Sequence, residues 1–214
     1  MEFRPSALLF DLDGVLVDSR AVVERTWRRW AARHGLDAAP LLAVAHGRRV
    51  RDTLKAVVPH LDPGPEVAWL DAAELEDLEG VVAMPGAAEL VGALAQHRWT
   101  IVTSCGRDLA ARRAERAGIP LPPLLVTSED VTRGKPAPEG YLLGARRCGA
   151  APEACLVFED APPGVAAARA AGCRVVALET THARPQLEGA DGIVPDLRSV
   201  TVRDGGAGLV VTIP

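Results

Sequence analysis

The segment Leu8-Leu9-Phe10-Asp11-Leu12-Asp13-Gly14-Val15-Leu16-Val17-Asp18 constrains this chain more than any other. An apolar run stops abruptly at two carboxylates one residue apart, followed by a glycine. Such a run suits a short strand buried on both faces of a parallel sheet. Side chains at i and i+2 of a strand point to the same side, so Asp11 and Asp13 are expected to crowd one spot at a strand end. Like charges held that close raise each other's pKa unless a cation neutralises them. The pattern therefore predicts a divalent metal site with an attacking carboxylate beside it. A calcium loop is the competing reading of Asp-x-Asp-Gly. That loop needs further oxygen ligands at alternating positions and a late glutamate, where this chain has Val15, Leu16 and Val17.

Periodicity divides the rest into two patterns. After the strand over 6–12, residues 20–35 read as a helix, with Val22, Val23, Trp27, Trp30 and Ala31 at helical spacing and a stop near Gly35. Helices are also expected over 48–59 and 65–79, with no strand between Asp18 and Gly80. Beyond that block helices (86–97, 107–118, 137–149, 162–172) alternate with strands (99–103, 124–126, 155–158, 174–178, and a short one near 193–194). Alternation of this kind predicts a parallel sheet with helices on both faces. The C-terminal segments 199–202 and 209–213, around Asp204-Gly205-Gly206, read as a hairpin. The fold class is α/β, a Rossmann-like parallel-sheet core over 1–16 and 83–214, interrupted after its first strand by a helical insert over 17–82. A chain of 214 residues is long enough for such a core with a small inserted domain.

Ligands of open parallel sheets bind beyond the carboxyl ends of the strands. There this chain offers Asp11 and Asp13, then Thr103-Ser104, then Glu159-Asp160, with Lys135 in the loop Thr132-Arg133-Gly134-Lys135-Pro136. Lysine is scarce: the basic residues are 22 arginines and only Lys55 and Lys135. Against that bias Lys135 stands out, because a compact ammonium does what a wide guanidinium cannot. Carboxylates, hydroxyls and one ammonium at one edge suit phosphoryl transfer. The acidic groups hold Mg²⁺ through oxygen, the metal and Lys135 neutralise phosphoryl oxygens, one carboxylate attacks phosphorus, and a second moves protons.

In order along the chain, Asp11-Leu12-Asp13-Gly14-Val15-Leu16-Val17-Asp18-Ser19, Ile101-Val102-Thr103-Ser104, Gly134-Lys135-Pro136-Ala137-Pro138 and Val157-Phe158-Glu159-Asp160-Ala161-Pro162-Pro163-Gly164 resemble the four motifs of the haloacid dehalogenase superfamily of phosphatases. The likeness spans about residues 6–180, and the helical block sits where members with a small four-helix-type cap carry it. The resemblance implies Asp11 as nucleophile and metal ligand, and Asp13 as general acid/base with its backbone carbonyl on the metal. It implies Asp160 as a metal ligand and Glu159 as a ligand or its partner. Lys135 and Ser104, or Ser104's neighbour Thr103, would hold the phosphoryl group. Within the superfamily the chain is most similar to the sugar- and polyol-phosphate phosphatases, on His46-Gly47-Arg48-Arg49, Trp99–Arg107, Val126–Pro138 and Phe158–Gly172. In the related β-phosphoglucomutases the helix after the first motif carries a histidine that couples the acid/base to substrate. Here that position is about Val23, which favours hydrolysis over a mutase-like phosphotransfer. A non-catalytic phosphate-binding protein is the other alternative, against which both Asp11 and Asp13 are present.

A cap closing over a phosphate ester is expected to present an arginine, Arg48 or Arg49, the alternative for both being a plain surface role. Trp27 either faces that site or belongs to the cap's own core. Asp18 and Ser19 read as a helix cap. The net charge of −4 gives no reason to expect nucleic acid. No apolar stretch has the length of a membrane span, and the start of the chain leaves no room for a signal peptide before the Asp11 strand. Cys105, Cys148, Cys155 and Cys173 show no C-x-x-C spacing and read as buried thiols of a reducing, cytoplasmic protein. Cys105 has no helpful base nearby in the sequence. His34, His46, His60, His97 and His182 share no metal-ligand spacing and read mostly as surface residues. The expected protein is a Mg²⁺-dependent phosphatase of a small phosphorylated sugar or polyol, a monomer or weak homo-oligomer.

Overall fold

The computed structural model describes residues 1–94, 98–206 and 208–214. Its strands are β1 (Glu2–Phe3), β2 (Ala7–Phe10), β3 (Val17–Asp18), β4 (Val82–Ala83), β5 (Trp99–Ile101), β6 (Cys155–Glu159), β7 (Arg174–Leu178), β8 (Gly192–Val194), β9 (Thr201–Asp204) and β10 (Leu209–Thr212). The α-helices are α1 (Arg20–Arg33), α2 (Ala39–Ala45), α3 (Val50–Val57), α4 (Pro63–Glu76), α5 (Ala87–Gly92), α6 (Arg107–Ala117), α7 (Glu139–Arg147) and α8 (Pro162–Ala170). Five strands form one parallel sheet in the order β5-β2-β6-β7-β8. This is the α/β core that alternating strands and helices imply.

The central strands β2 and β6 are buried along their whole length, as helices on both faces require. The period of two sorts their side chains. Leu8, Phe10, Leu156 and Phe158 enter one apolar cluster, together with Ile101 and Val176. Leu9, Val157, Val175 and Ala177 enter another, with Tyr141 and Ala145 of α7 and Val165 and Ala168 of α8. Phe10 and Phe158 are register partners and stack with ring centroids 5.0 Å apart.

The helical block α1–α4 has an apolar cluster of its own, built on Trp27, Trp30, Leu41, Leu54 and Leu70. Trp30 is fully buried yet keeps its indole N–H satisfied, donating to Glu66 at 2.7 Å. The chain enters and leaves this block through a two-stranded antiparallel ribbon, Val17 opposite Ala83 and Asp18 opposite Val82. At the start of α1 Asp18 accepts the Arg20 N–H, while the hydroxyl of Ser19 goes to Asp13 instead of capping the helix.

The structure differs from the sequence expectations at several points. The first strand stops at Phe10, so Asp11 and Asp13 do not share a strand face. Leu124–Val126 is not a strand. Val126 makes a single bridge to Val102, because Pro122 and Pro123 have no N–H to offer and the Leu124 carbonyl is taken by the Thr100 hydroxyl. Helix α2 has no counterpart among the expected helices, because seven residues, two turns, are too few to show a periodicity. The hairpin β9–β10 forms, and β1 adds an unexpected third strand against β10. The end of the helix expected over 86–97, with His97, lies outside the described residues.

Phe158→Ala is expected to cost about 3–5 kcal/mol, as for other large-to-small aromatic truncations in cores. The shift of the urea unfolding midpoint at unchanged slope measures it.

Candidate active site

Parallel register brings the carboxylates together. Phe10 pairs with Phe158, so the next residues, Asp11 and Glu159, emerge level at the sheet's carboxyl edge. The Asp11 N–H continues the ladder to the Phe158 carbonyl at 3.0 Å. Lys135 reaches between the two carboxylates, donating from Nζ to Asp11 Oδ1 at 2.6 Å and to Glu159 Oε1 at 2.6 Å. Its ammonium also lies 5.2 Å from the centre of the Tyr141 ring. The Tyr141 hydroxyl donates to Glu159 Oε1 at 2.5 Å, and the N–H groups of Asp160 and Ala161 donate to Oε2. Asp160 accepts the Thr181 hydroxyl at Oδ2, while its Oδ1 is buried without a partner among the described residues.

One carboxylate oxygen from each of Asp11, Glu159 and Asp160 lies within 4.8 Å of the others, and all three side chains are buried. A single ammonium does not balance three carboxylates in that space. Burial, with Glu159 and Asp13 nearby, lifts the Asp11 pKa to about 7 despite Lys135. Burial and then the Glu159 and Asp11 charges push Asp160 well above the usual carboxylate range. Burial works against the Lys135 charge, but Asp11 and Glu159 overcome it and keep that pKa raised. Surplus negative charge and a bare Oδ1 fit a hard divalent cation that takes oxygen ligands.

Two glycines make the cluster possible. Gly14 has φ +83°, and a Cβ there would meet Asp160 Oδ2 at 2.2 Å. A Cβ on Gly164, in the first turn of α8, would overlap the Glu159 carboxylate at 1.8 Å.

Asp13 is not one of the three clustered carboxylates, and its hydrogen bonds go elsewhere. Its Oδ1 accepts the Ser19 hydroxyl at 2.6 Å and Arg113 Nη1 at 2.9 Å. Arg113, on α6, donates from its other terminal nitrogen to Glu74 Oε2 of α4 at 2.5 Å, and its Nε has no partner among the described residues. Asp13 still lies near enough for its charge to raise the Asp11 pKa, while the tightest crowding is that of Asp11 with Glu159 and Asp160.

A cavity of about 360 Å³ lies between the sheet edge and the helical block. Asp11, Asp13, Thr103, Ser104 and Asp160 line it from the core, and Trp27, Arg48 and Arg49 from the block. Lys135 and Glu159 stand behind that wall. The Ser104 hydroxyl donates to the Gly47 carbonyl of the block at 3.1 Å. Thr103 Oγ1 accepts the Cys105 N–H. The Arg49 guanidinium is held by Asp52 at 2.7 Å and 3.2 Å and by the Val131 carbonyl at 3.2 Å, packed against Gly134 beside Lys135. Trp27 both lines the cavity and belongs to the block's apolar cluster. Cys105 faces the cavity too, but burial raises its thiol pKa, which makes it a poor nucleophile.

The sequence reading missed Arg113, Glu74, Tyr141 and Thr181. A signal existed for the first two. Arg113 shares the buried face of α6 with Leu109, Ala110 and Ala114, and Glu74 that of α4 with Leu70 and Ala73. A charge on an apolar helix stripe is paired or functional. His46 and His182, expected mostly at the surface, are half-buried with rings 6.4 Å apart, and His46 lines the cavity.

A model of the haloacid dehalogenase-like hydrolases matches residues 5–172. The chain belongs to that family. This haloacid dehalogenase-like hydrolase is 43% identical over 204 residues to hexitol phosphatase A of Escherichia coli (strain K12), covering 93% of this chain and 94% of that protein. It is 33% identical to glycerol-1-phosphate phosphohydrolase 2 of Saccharomyces cerevisiae, covering 94% and 86%. Among solved structures, a hydrolase from Pseudomonas syringae superposes with a TM-score of 0.80 at 26% identity, covering 91% of this chain and 94% of the other. The sugar- and polyol-phosphate phosphatases are thus where its similarity lies, and it is a phosphatase of this family. Phosphatases of the family generally use a divalent metal, in keeping with the acidic cluster. No helix of the described residues is long and apolar enough to cross a membrane.

The raised Asp11 pKa has a consequence for stability. Without a cation Asp11 holds its proton more tightly folded than unfolded, so its contribution is intact below the ordinary carboxylate pKa. It is lost as pH rises to about 7. In chelator the melting temperature is expected to fall over that window, and less so for Asp11→Asn. Added Mg²⁺ should raise it more at about pH 8 than at about pH 5, since only ionised ligands repel one another and hold metal. Differential scanning calorimetry with and without chelator reads both.

Proposed function

We propose that this chain is a Mg²⁺-dependent phosphatase that hydrolyses a small sugar or polyol phosphate monoester through an aspartyl-phosphate on Asp11. The observation that carries the reading is Lys135 Nζ set 2.6 Å from both Asp11 and Glu159, beside the unpartnered Oδ1 of Asp160. Asp11 attacks phosphorus with one carboxylate oxygen, and the bond from phosphorus to the ester oxygen breaks. Asp13 gives a proton to the departing alcohol, then takes one from the water that opens the acyl phosphate and frees Asp11. Lys135 favours the ionised form of Asp11 against its burial and orients it. Ser104, with Thr103 beside it, holds phosphoryl oxygens, exchanging its bond to Gly47 for one to the ester. Asp11, Asp160, Glu159 and the Asp13 carbonyl would hold the metal. When bound it supplies positive charge that offsets the carboxylates and the phosphoryl oxygens.

The helical block serves as the cap over this site. Arg48, whose side chain makes no hydrogen bond among the described residues, and Trp27 meet the leaving group. Arg49 is already held by Asp52 and Val131, so Arg48 is the arginine available to the ester. Val23 lines the cavity with methyl groups that move no proton, which supports hydrolysis over mutase chemistry. Relatives named for hexitol and glycerol phosphates support a polyol or sugar leaving group. Four free cysteines support a reducing, cytoplasmic setting. The few exposed large apolar side chains, scattered along the chain, support a monomer or weak homo-oligomer.

The test is inorganic phosphate release across a panel of sugar and polyol phosphates, with Mg²⁺ and with chelator. Release is expected only with metal, and Asp11→Asn should abolish it while leaving the folded circular dichroism spectrum intact. A chelator-insensitive rate, or an active Asp11→Asn, would refute the mechanism. Lys135→Arg should also lose activity, by about 100-fold or more, because a planar fork does not fit between Asp11, Glu159 and Tyr141. Steady-state kinetics on the best panel substrate measures it.

A further inference from the structure

The geometry points to Arg113 as a positioning residue that orients Asp13 and ties that orientation to the place of α4. The inference rests on the reading of Asp13 as acid/base given above. Arg113 is buried, its side chain 3% exposed, and it is bonded at both terminal nitrogens to carboxylates from separate parts of the chain. Asp13 lies in the turn after β2, while Glu74, 6% exposed, lies on α4 of the helical block. A guanidinium held at two nitrogens has little freedom to rotate, so it fixes Asp13 rather than merely attracting it.

The choice of oxygen matters. Both donors to Asp13, Arg113 Nη1 and Ser19 Oγ, engage Oδ1. Oδ2 accepts no hydrogen bond among the described residues, which leaves it to carry the proton and pass it to the ester oxygen. A merely structural role explains the arrangement poorly. A buried ion triad stabilises a helix contact no better than well-packed apolar side chains of similar volume. Here it lines the cavity and reaches the side chain that moves the proton. When α4 leaves α6, Arg113 loses Glu74 and with it half of its hold. Asp13 is therefore aligned for proton transfer only while the block is seated against the core.

The experiment compares wild type, Asp13→Ala, Arg113→Met and Glu74→Leu/Arg113→Met, by melting temperature and by kcat/KM on two esters. One is the best polyol phosphate of the panel, whose alkoxide needs a proton to leave. The other is p-nitrophenyl phosphate, whose phenolate does not. Because kcat/KM reports the steps through ester cleavage, it isolates the need for an acid. Arg113→Met is expected to lower it about 100-fold on the polyol ester, the scale of a lost general acid, and less than about tenfold on the aryl ester. Arg113→Met strands the buried Glu74 charge, so it should also melt lower. The double variant should regain melting temperature while keeping the ester-selective loss.

Equal losses on both esters, or activity that returns with the melting temperature, would overturn the inference. Asp13→Ala separates the two levels. If it shows no ester-selective loss, the acid/base reading falls and Arg113's role with it. If it shows the loss and Arg113→Met does not, the role of Arg113 alone falls.

Discussion

The ammonium of Lys135 is what allows three carboxylates to stand at one sheet edge in a folded protein. Without it Asp11 and Glu159 would be buried like charges with no counter-ion, an arrangement that proteins avoid by protonation or rearrangement. One cation is still too few, and the deficit appears as the raised pKa values of Asp11 and Asp160. The folded chain thus holds an electrostatic debt at this edge that a bound divalent cation offsets. Binding of metal and completion of the site are two descriptions of one balance of charge.

Everything around the cluster serves its placement. Parallel register between β2 and β6 sets Asp11 level with Glu159, and the stacked Phe10 and Phe158 beneath them fix the height of both. Period-two alternation puts Glu159 on the face where α7 packs, so Tyr141 and Lys135 approach from the same side. Gly14 and Gly164 clear the volume that Asp160 and Glu159 occupy. Fold and chemistry are not separate layers here: a one-residue slip of β6 would send Glu159 to the opposite face and break the ammonium's second contact.

Much of this was legible beforehand, for physical reasons that can be named. The buried strands are short apolar runs ending in charge, and a strand that ends in Asp11 or in Glu159-Asp160 announces its carboxyl edge. Lys135 was legible because lysine is so rare in this chain. What stayed hidden was of two kinds. Very short elements, β1, β3, β4 and α2, carry too few residues for any periodicity. Leu124–Val126 has strand composition but spends its carbonyl on a side chain. Partners that meet only in three dimensions were the other kind. Arg113 and Glu74 are distant in sequence, and their meeting depends on where α4 lands on α6. The expectation that Asp11 and Asp13 share a strand face extends alternation past Phe10, where the strand gives way to the turn at Gly14.

The ribbon of Val17–Asp18 and Val82–Ala83 also bears on how such a protein is assembled. Because the outgoing and returning chains are hydrogen-bonded neighbours, the α1–α4 block begins and ends at one point of the core. The entropy of closing that excursion grows only slowly with its length, so lengthening the block adds little to what the ribbon and the contacts of the block must offset. A tight turn at that point would reconnect the sheet without stretching it. The block can therefore change in length while Asp11, Glu159 and Asp160 keep their places, since the hydrogen bonds that hold those three come from the core.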